Sequence, residues 1–182
     1  MALDPHDLFG IDAEFASEQR AIRDVVAKFV DAEVLPTIAR DFDAQRFPRE
    51  LVAGLADLGI LGGSIEGYDC PGLDAISYGL VCQQLERGDS ALRSFVSVQS
   101  SLCMYPIDTY GSVEQKARYL PAMARGEVIG CFGLTEPDAG SDPAGMRTKA
   151  VDKGSHYLLN GSKTWITNSP HAEVFVIWAK DE

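Results

Sequence analysis

The chain has 182 residues, of which 46% are hydrophobic and 24% are charged, and it carries a net charge of -11. This length suits one domain with part of another, and the acidic balance disfavours binding to nucleic acid or to an anionic membrane surface. No apolar run approaches the roughly 20 residues of a membrane span, and the acidic first residues argue against an export or transit signal. We therefore expect a soluble, cytoplasmic protein.

The cysteines and histidines indicate neither disulfides nor a metal site. Cysteines occur far apart, without a CxxC pair, at Cys70, Cys82, Cys103 and Cys131, and we predict reduced core thiols. Histidines stand at no metal or triad spacing and are assigned no role: His6, His156 and His171. The sequence also lacks a serine nucleophile elbow, a Walker loop and a dinucleotide glycine pattern.

Two helices are predicted in the first 60 residues. Apolar residues recur at helical spacing over 15–30, with Asp12 as a plausible N-cap and Pro36 marking the end. Phe47-Pro48 opens a second, shorter helix, which Gly59 should terminate.

A glycine-rich loop separates these helices from an apolar helical region. The loop covers 62–72, and a loop of that length inside a domain is often functional. Residues 73–86 and 91–110 are apolar on most faces, which predicts two interior helices. Asp89 or Ser90 can cap the second of them.

The periodicity changes near residue 127. Ser112 with Gln115 predicts a capping box at the start of a last helix, which ends near Arg125-Gly126. Short apolar runs follow. We therefore predict an α+β fold, with an all-α helical domain over 1–127 and a truncated antiparallel β domain over 128–182.

Four apolar runs predict the strands of the β domain. They cover 128–134, 157–159, 163–167 and 172–179. The Asn160-Gly161 pair between two of these runs is a strong hairpin signal. So few strands would leave an open edge, which indicates a fragment or a chain completed by another polypeptide.

The segment from Cys131 to Asp142 is the first candidate binding site. A short apolar run gives way to a turn with Pro137, Gly140, two hydroxyls and three carboxylates. Backbone N-H groups in such a loop suit a ligand with phosphates or ring carbonyls. The alternative is a solvated acidic turn.

Arg93 is the most informative residue of the helical part. It lies one step inside a predicted apolar helix, where a guanidinium needs an anionic partner. Glu86 is seven residues earlier and can supply one. A surface ion pair at the helix end is an equally good interpretation, so the sequence leaves both open.

Trp165 and Thr167 form the third candidate. Two residues apart in a predicted strand, they would point to the same face. An indole plane beside a hydroxyl suits a flat aromatic cofactor, although a core tryptophan beside a β-former is the commoner arrangement. Ser141 is likewise more often a turn or cap hydroxyl than a ligand contact.

Together these motifs resemble the acyl-CoA dehydrogenase family. The resemblance rests on the segment from Phe132 to Asp142, Phe132-Gly133-Leu134-Thr135-Glu136-Pro137-Asp138-Ala139-Gly140-Ser141-Asp142, followed by Leu159-Asn160-Gly161-Ser162-Lys163-Thr164-Trp165-Ile166-Thr167-Asn168. The runs Gln84-Leu85-Glu86-Arg87, Leu92-Arg93-Ser94 and Ser97-Val98-Gln99-Ser100-Ser101-Leu102 are similar to the glutaryl-CoA dehydrogenase branch.

The resemblance implies a flavoenzyme with FAD between the β domain and the helices. The implied cofactor contacts are Phe132, Gly133, Leu134, Thr135, Glu136, Pro137, Asp138, Ala139, Gly140, Ser141, Trp165, Ile166 and Thr167. Thr135 would bond the polar edge of the ring, and Thr167 would reach its N5 side. Arg93 and Ser94 would bind the distal carboxylate of glutaryl-CoA, with Glu86 holding Arg93 and Ser141 touching the acyl-CoA.

The implied reaction is the oxidation of glutaryl-CoA to crotonyl-CoA, with α-proton abstraction and β-hydride transfer to flavin N5. Whether decarboxylation follows stays open. The family's catalytic glutamate lies in a C-terminal helical domain beyond residue 182, so we assign no catalytic residue, and we expect this chain alone to be inactive and to bind FAD weakly or not at all.

The resemblance also implies a context for the enzyme. It implies electron-transfer flavoprotein as electron acceptor, a homotetramer at full length, and a place in lysine and tryptophan degradation. Two alternatives remain: a non-catalytic acyl-CoA-binding or assembly module, and a fragment of a general short-chain acyl-CoA dehydrogenase.

Overall fold

The computed structural model describes residues 7–181, which form a helical part followed by short strands. The helices are α1 Ser17–Phe29, α2 Ile38–Asp43, α3 Leu51–Asp57, α4 Ala75–Gly88, α5 Ser90–Ser97, α6 Tyr105–Tyr110 and α7 Val113–Ala124. The strands are β1 Glu66–Gly67, β2 Cys70–Pro71, β3 Gly130–Gly133, β4 Lys149–Asp152, β5 Tyr157–Asn160, β6 Val174–Ile177 and β7 Lys180–Asp181. The predicted α+β class is confirmed. Within residues 7–181, no helix is both long and apolar enough to cross a membrane.

The first helix begins later than predicted. Asp12 lies in a short 3-10 turn, Ile11–Glu14, and pairs with Arg23, so it does not cap α1. The backbone is extended at Phe15 and Ala16, and the helix starts at Ser17. At the other end, α1 continues through a wide π-type turn, Val30–Val34, which leads into Leu35 and the predicted stop at Pro36.

Three other predicted signals at helix ends agree with the structure, whereas the helix expected to open at Phe47-Pro48 begins at Leu51. Gly59, with φ of 65°, follows the end of α3. Asp89 is the cap of α5, since its carboxylate accepts bonds from the N-H groups of Ala91 (2.8 Å) and Leu92 (3.2 Å). Ser112 and Gln115 form the predicted capping box of α7, each accepting a bond from the other's backbone N-H.

Two apolar clusters hold the helices together. The larger packs α1, α3, α4 and α5 around fully buried side chains that include Leu55, Leu85 and Phe95. The smaller joins α7 to a π-type segment, Val98–Met104, and includes Met104 and Leu120. Each fully buried Leu, Phe or Met side chain contributes roughly 1.5–3 kcal/mol to folding.

The strands form a mixed arrangement. β3 pairs with β6 in parallel, β4 pairs antiparallel with β5, and β7 adds to β4 in parallel. The antiparallel relationship expected from the sequence therefore holds for the β4–β5 hairpin, while the β3–β6 and β4–β7 pairs are parallel.

The hairpin expected at Asn160-Gly161 is wrong. The partner of β5 precedes it in the chain, and the turn between β4 and β5 contains Gly154, with φ of 79°. Residues 161–168 form no strand. They leave the sheet because the Lys163 side chain turns toward the loop after β3, as described below.

One buried side chain joins the helical part to the sheet. The Gln99 amide nitrogen donates to the carbonyls of Met123 (3.1 Å) and Val128 (2.8 Å), and its oxygen accepts a bond from the Gly130 N-H (2.8 Å). Gln99 therefore fixes where β3 begins relative to α5, and β3 leads directly into the candidate loop.

Candidate functional site

The loop after β3 is a built structure and not only a solvated acidic turn. Glu136 and Ala139 exchange backbone hydrogen bonds of 3.0 and 3.2 Å, which close a tight turn. Both residues are buried, while Pro137, Asp138, Gly140 and Ser141 are exposed. The loop thus buries the Glu136 carboxylate and Ala139 and exposes the four residues named around them.

A buried ion pair holds this loop in place. Lys163 Nζ donates to Glu136 Oε1 (2.8 Å) and to the Leu134 carbonyl (2.9 Å). Glu136 also accepts bonds from the N-H groups of Arg147 (2.6 Å) and Thr148 (3.0 Å). The Lys163 ammonium, together with the bonds from Thr148 and Arg147, holds the pKa of Glu136 far below its usual range. The carboxylate is therefore charged and fully engaged, which suits a positioning role.

The two motif segments singled out in the sequence lie side by side. Besides the Lys163 bonds, the Thr164 N-H donates to the Thr135 carbonyl at 3.0 Å. Gly161 also lies close to Thr148, since a Cβ there would be 2.6 Å from the Thr148 Cα. The sequence analysis did not identify the role of Lys163. The available signal was a lysine at the start of a predicted strand, with an acidic loop elsewhere in the chain.

Trp165 and Thr167 are not neighbours on one strand face, so that prediction is wrong. Trp165 has φ of 58°, and Thr167 lies in the irregular segment before a 3-10 turn, Ser169–His171. The indole is 90% exposed, so Trp165 is not a core residue either. A positive φ at a bulky residue is an unusual conformation that is often found at binding sites.

Several polar groups of these segments have no partner of their own. Within the described part of the chain, the hydroxyls of Thr135, Ser141 and Thr167 and the indole N-H of Trp165 make no hydrogen bond. Hydroxyls, an indole N-H and an exposed indole plane are the groups that bind a flat ring with carbonyl and nitrogen edges. This donor set fits a flavin ring.

Arg93 is only partly buried, which agrees with the surface ion pair, one of the two interpretations that the sequence left open. Its side chain is 39% exposed, and it joins the ends of α4 and α5. Arg93 Nε donates to Glu86 Oε2 (2.8 Å), as the sequence suggested, and Nη1 donates to Ser97 Oγ (3.3 Å). Ser90 Oγ donates to the other Glu86 oxygen (2.6 Å).

This pair keeps one edge of the guanidinium available. The bond from Ser90, and then that from Arg93, lowers the pKa of Glu86, while Glu86 raises the pKa of Arg93. Both groups are thus charged and oriented. Nη2 of Arg93 makes no hydrogen bond to any group of residues 7–181, so it can donate to an incoming anion.

A small cavity joins the helical and β parts of the site. Its volume is about 320 Å³, and most of its lining surface is apolar. The lining residues are Phe47, Ala91, Ser94, Thr167, Asn168, Pro170 and His171. Ser94 follows Arg93 in α5, and Thr167 belongs to the segment that contacts the β3 loop. The structure thus brings residues of the two separate motif sets to one cavity, together with His171, to which the sequence assigned no role.

A larger cavity lies elsewhere, between α6, α7 and β6. It measures about 800 Å³, and its walls include Tyr110, Tyr119 and Phe175. None of the site residues predicted from the sequence lines it. The smaller cavity is the better candidate because Ser94 and Thr167, which belong to the two motif sets, both line it.

Comparisons with known proteins agree with these features. Residues 16–127 match the family model for the acyl-CoA dehydrogenase N-terminal domain, and residues 131–182 match that for the middle domain. A glutaryl-CoA dehydrogenase from Desulfococcus multivorans is 38% identical over 173 residues, covering 93% of this chain and 44% of the relative. A short-chain-specific acyl-CoA dehydrogenase from Clostridium acetobutylicum is also 38% identical, over 170 residues, covering 93% of this chain and 45% of the relative.

Solved structures of acyl-CoA dehydrogenases are also similar to this chain. A glutaryl-CoA dehydrogenase from Mycobacterium smegmatis, in complex with FADH2, superposes with a TM-score of 0.97 at 49% identity. That match covers 100% of this chain and 47% of the other. The chain therefore spans less than half the length of the relatives it matches.

Proposed function

The chain belongs to the acyl-CoA dehydrogenase family, and we propose that it is the part of an FAD-dependent glutaryl-CoA dehydrogenase that seats the flavin and the acyl chain. The observation that carries the substrate assignment is the Arg93–Glu86 pair, which leaves Nη2 of the guanidinium without a partner within residues 7–181. Arg93 directly precedes Ser94, which lines the small cavity.

The residues present fit FAD. The proposed contacts are the segment 132–141 and Trp165-Ile166-Thr167, whose hydroxyls, backbone N-H groups and indole suit a flavin ring. The bound cofactor supplies the acceptor for the hydride that leaves the substrate β-carbon. Lys163 and Glu136 keep the loop that carries Thr135 in contact with the segment that carries Thr167.

Substrate selection is assigned to Arg93 and Ser94. A guanidinium with a free Nη2 edge pairs with the distal carboxylate of a glutaryl chain through charge-assisted hydrogen bonds. An acyl chain ending in a methyl group leaves that edge without an anionic partner, so it should be selected against. Glu86 positions the guanidinium by occupying its Nε edge.

The remaining residues of this part orient the substrate. Fixing the acyl chain at its distal carboxylate aligns its α- and β-carbons for proton and hydride removal. Ser141, exposed on the β3 loop, is the proposed contact to the acyl-CoA. We assign the α-proton to no residue of this chain. The proposal extends to electron-transfer flavoprotein as acceptor and to a cytoplasmic homotetramer for the whole enzyme.

A general short-chain acyl-CoA dehydrogenase is the second candidate. The observation in its favour is that the short-chain relative is as similar to this chain as the D. multivorans glutaryl-CoA dehydrogenase, at 38% identity each. A short-chain enzyme has no need of a cation at the end of the acyl chain. Substrate preference therefore separates the two candidates.

A hybrid enzyme tests the proposal. This chain replaces the matching 47% of the M. smegmatis glutaryl-CoA dehydrogenase, and flavin content and dye reduction are measured with glutaryl-CoA and butyryl-CoA. We expect a yellow hybrid that prefers glutaryl-CoA. A flavin-loaded hybrid that prefers butyryl-CoA would support the short-chain candidate, and a colourless folded hybrid would contradict the flavin seat.

A further inference from the structure

His171 lies at the small cavity with no assigned role, and its environment is that of a binding residue. His171 lines the cavity together with Ser94 and Thr167. Neither of its ring nitrogens makes a hydrogen bond to any group in the part of the chain described. A half-buried imidazole with two unengaged nitrogens at an apolar cavity is a donor or acceptor available to a ligand.

The position of His171 is closely controlled by its neighbours. Its ring packs against Phe47, with 5.1 Å between ring centroids. Arg49 Nη1 donates to the His171 carbonyl at 3.3 Å, and the His171 N-H donates to the Asn168 carbonyl at 2.8 Å. Asn168 is itself fixed, since its amide nitrogen donates to the Gly130 carbonyl at 3.1 Å. The imidazole is therefore held in place before any ligand binds, which lowers the entropic cost of a contact.

Two other polar side chains at the cavity also have no hydrogen-bond partner. The hydroxyls of Ser94 and Thr167 make no hydrogen bond within residues 7–181. The remainder of the lining is apolar except for Asn168. A ligand that satisfies Ser94 and His171 together must have an apolar body and a polar acceptor at its end, which describes a short acyl chain with a terminal carboxylate.

We propose that His171 is a further substrate-binding residue, whose imidazole N-H donates a hydrogen bond to the distal carboxylate of a dicarboxylic acyl chain alongside Ser94. This inference rests on the proposed function, because it adds a contact to the same end of the substrate that Arg93 binds. In the proposed function Arg93 supplies the positive charge, and His171 adds a hydrogen-bond donor for which a methyl-terminated chain has no acceptor.

Nuclear magnetic resonance of the 182-residue chain, labelled at histidine, tests the contact directly. The probes are glutaryl-CoA and valeryl-CoA, which have acyl chains of the same length and differ in a terminal carboxylate or methyl group. We expect glutaryl-CoA to shift the His171 ring signal saturably and valeryl-CoA to leave it near its free position. His156, exposed and bonded to Ser155, is the internal control.

Substitutions provide the energetic test on the same chain. His171→Phe keeps the ring packing on Phe47 and removes the donor, and it should weaken glutaryl-CoA binding about tenfold while leaving valeryl-CoA binding unchanged. His171→Gln keeps an N-H donor and should retain part of the preference. Equal weakening of both thioesters, an unmoved His171 signal at saturation, or no glutaryl-CoA binding at millimolar concentration would overturn the inference.

Arg93→Met separates this inference from the proposed function. If that variant removes the preference for glutaryl-CoA and His171→Phe does not, the role of His171 fails and the proposed substrate stands. If His171→Phe removes the preference and Arg93→Met does not, His171 binds the carboxylate and the proposed Arg93 clamp fails.

Discussion

Replacing Gln99 with leucine should destabilise the chain more than any surface substitution of the same kind. The buried amide satisfies the Gly130 N-H and the carbonyls of Val128 and Met123. In the variant the Met123 carbonyl keeps a second hydrogen bond, from the Gly126 N-H. The Gly130 N-H and the Val128 carbonyl are therefore the two backbone groups that lose a partner. At roughly 1–3 kcal/mol for each orphaned group, less about 1 kcal/mol gained by burying leucine, we expect a loss of about 3 kcal/mol.

Urea unfolding of the wild-type and Gln99→Leu chains, followed by circular dichroism, measures this loss. Gln83→Leu is the matched control, because Gln83 is exposed on α4 and its replacement should change the free energy of unfolding by less than about 0.5 kcal/mol. Equal stability of the two variants would refute the reasoning, since it would mean that the Gln99 bonds do not join β3 to the helical part.

Three further predictions concern the site's supports. Because the pKa of Glu136 is lowered in the folded chain, its ionised carboxylate stabilises the fold at a pH above 4.5, the ordinary glutamate pKa, and this contribution is lost as the pH falls below that value. The urea midpoint of Glu136→Gln should therefore vary less with acidification than that of the wild type. Gly161→Ala, whose Cβ would collide with Thr148, should cost about 1–3 kcal/mol in urea unfolding, whereas Gly140→Ala has open space and should cost far less. Burial raises the pKa of the Cys103 thiol to about 12, so peptide mapping after treatment with a thiol reagent should find Cys103 labelled only in unfolded protein; rapid native labelling would contradict this.

Local signals in the sequence predicted several helix ends correctly. The capping box at Ser112 and the stop at Gly59 depend on side chains and backbone angles within a few residues, so the pattern contains what is needed. The wide turn at Val98–Met104, by contrast, has no local signature, because packing on α7 and β3 determines it.

Long-range contacts account for the errors in the β part. The sequence predicted a strand over 163–167, but the hydrogen bond from Lys163 to Glu136, 27 residues away, holds this segment against the β3 loop. Trp165 consequently adopts a positive φ and lies in solvent. The burial of Arg93 stayed open in the sequence, because apolar periodicity does not reveal whether a neighbouring element covers a given face of the helix.

The proximity of the two motif segments was expected from their resemblance to one family, and the structure supplies the contacts between them. Thr164 bonds the Thr135 carbonyl, and Lys163 bonds the Leu134 carbonyl. His171 could not be identified in this way because no spacing marked it. Only the fold reveals that it shares a cavity with Ser94.

The selectivity of the hybrid enzyme for glutaryl-CoA over butyryl-CoA tests the central claim most directly. Arg93→Met should lower kcat/KM for glutaryl-CoA by about 100-fold and leave that for butyryl-CoA within about threefold, because only the dicarboxylate loses a charged partner. Arg87→Met, which removes an exposed ion-paired arginine from α4, is the control and should leave kcat/KM unchanged for both glutaryl-CoA and butyryl-CoA. Unchanged selectivity in Arg93→Met, with flavin content retained, would contradict the assignment of glutaryl-CoA.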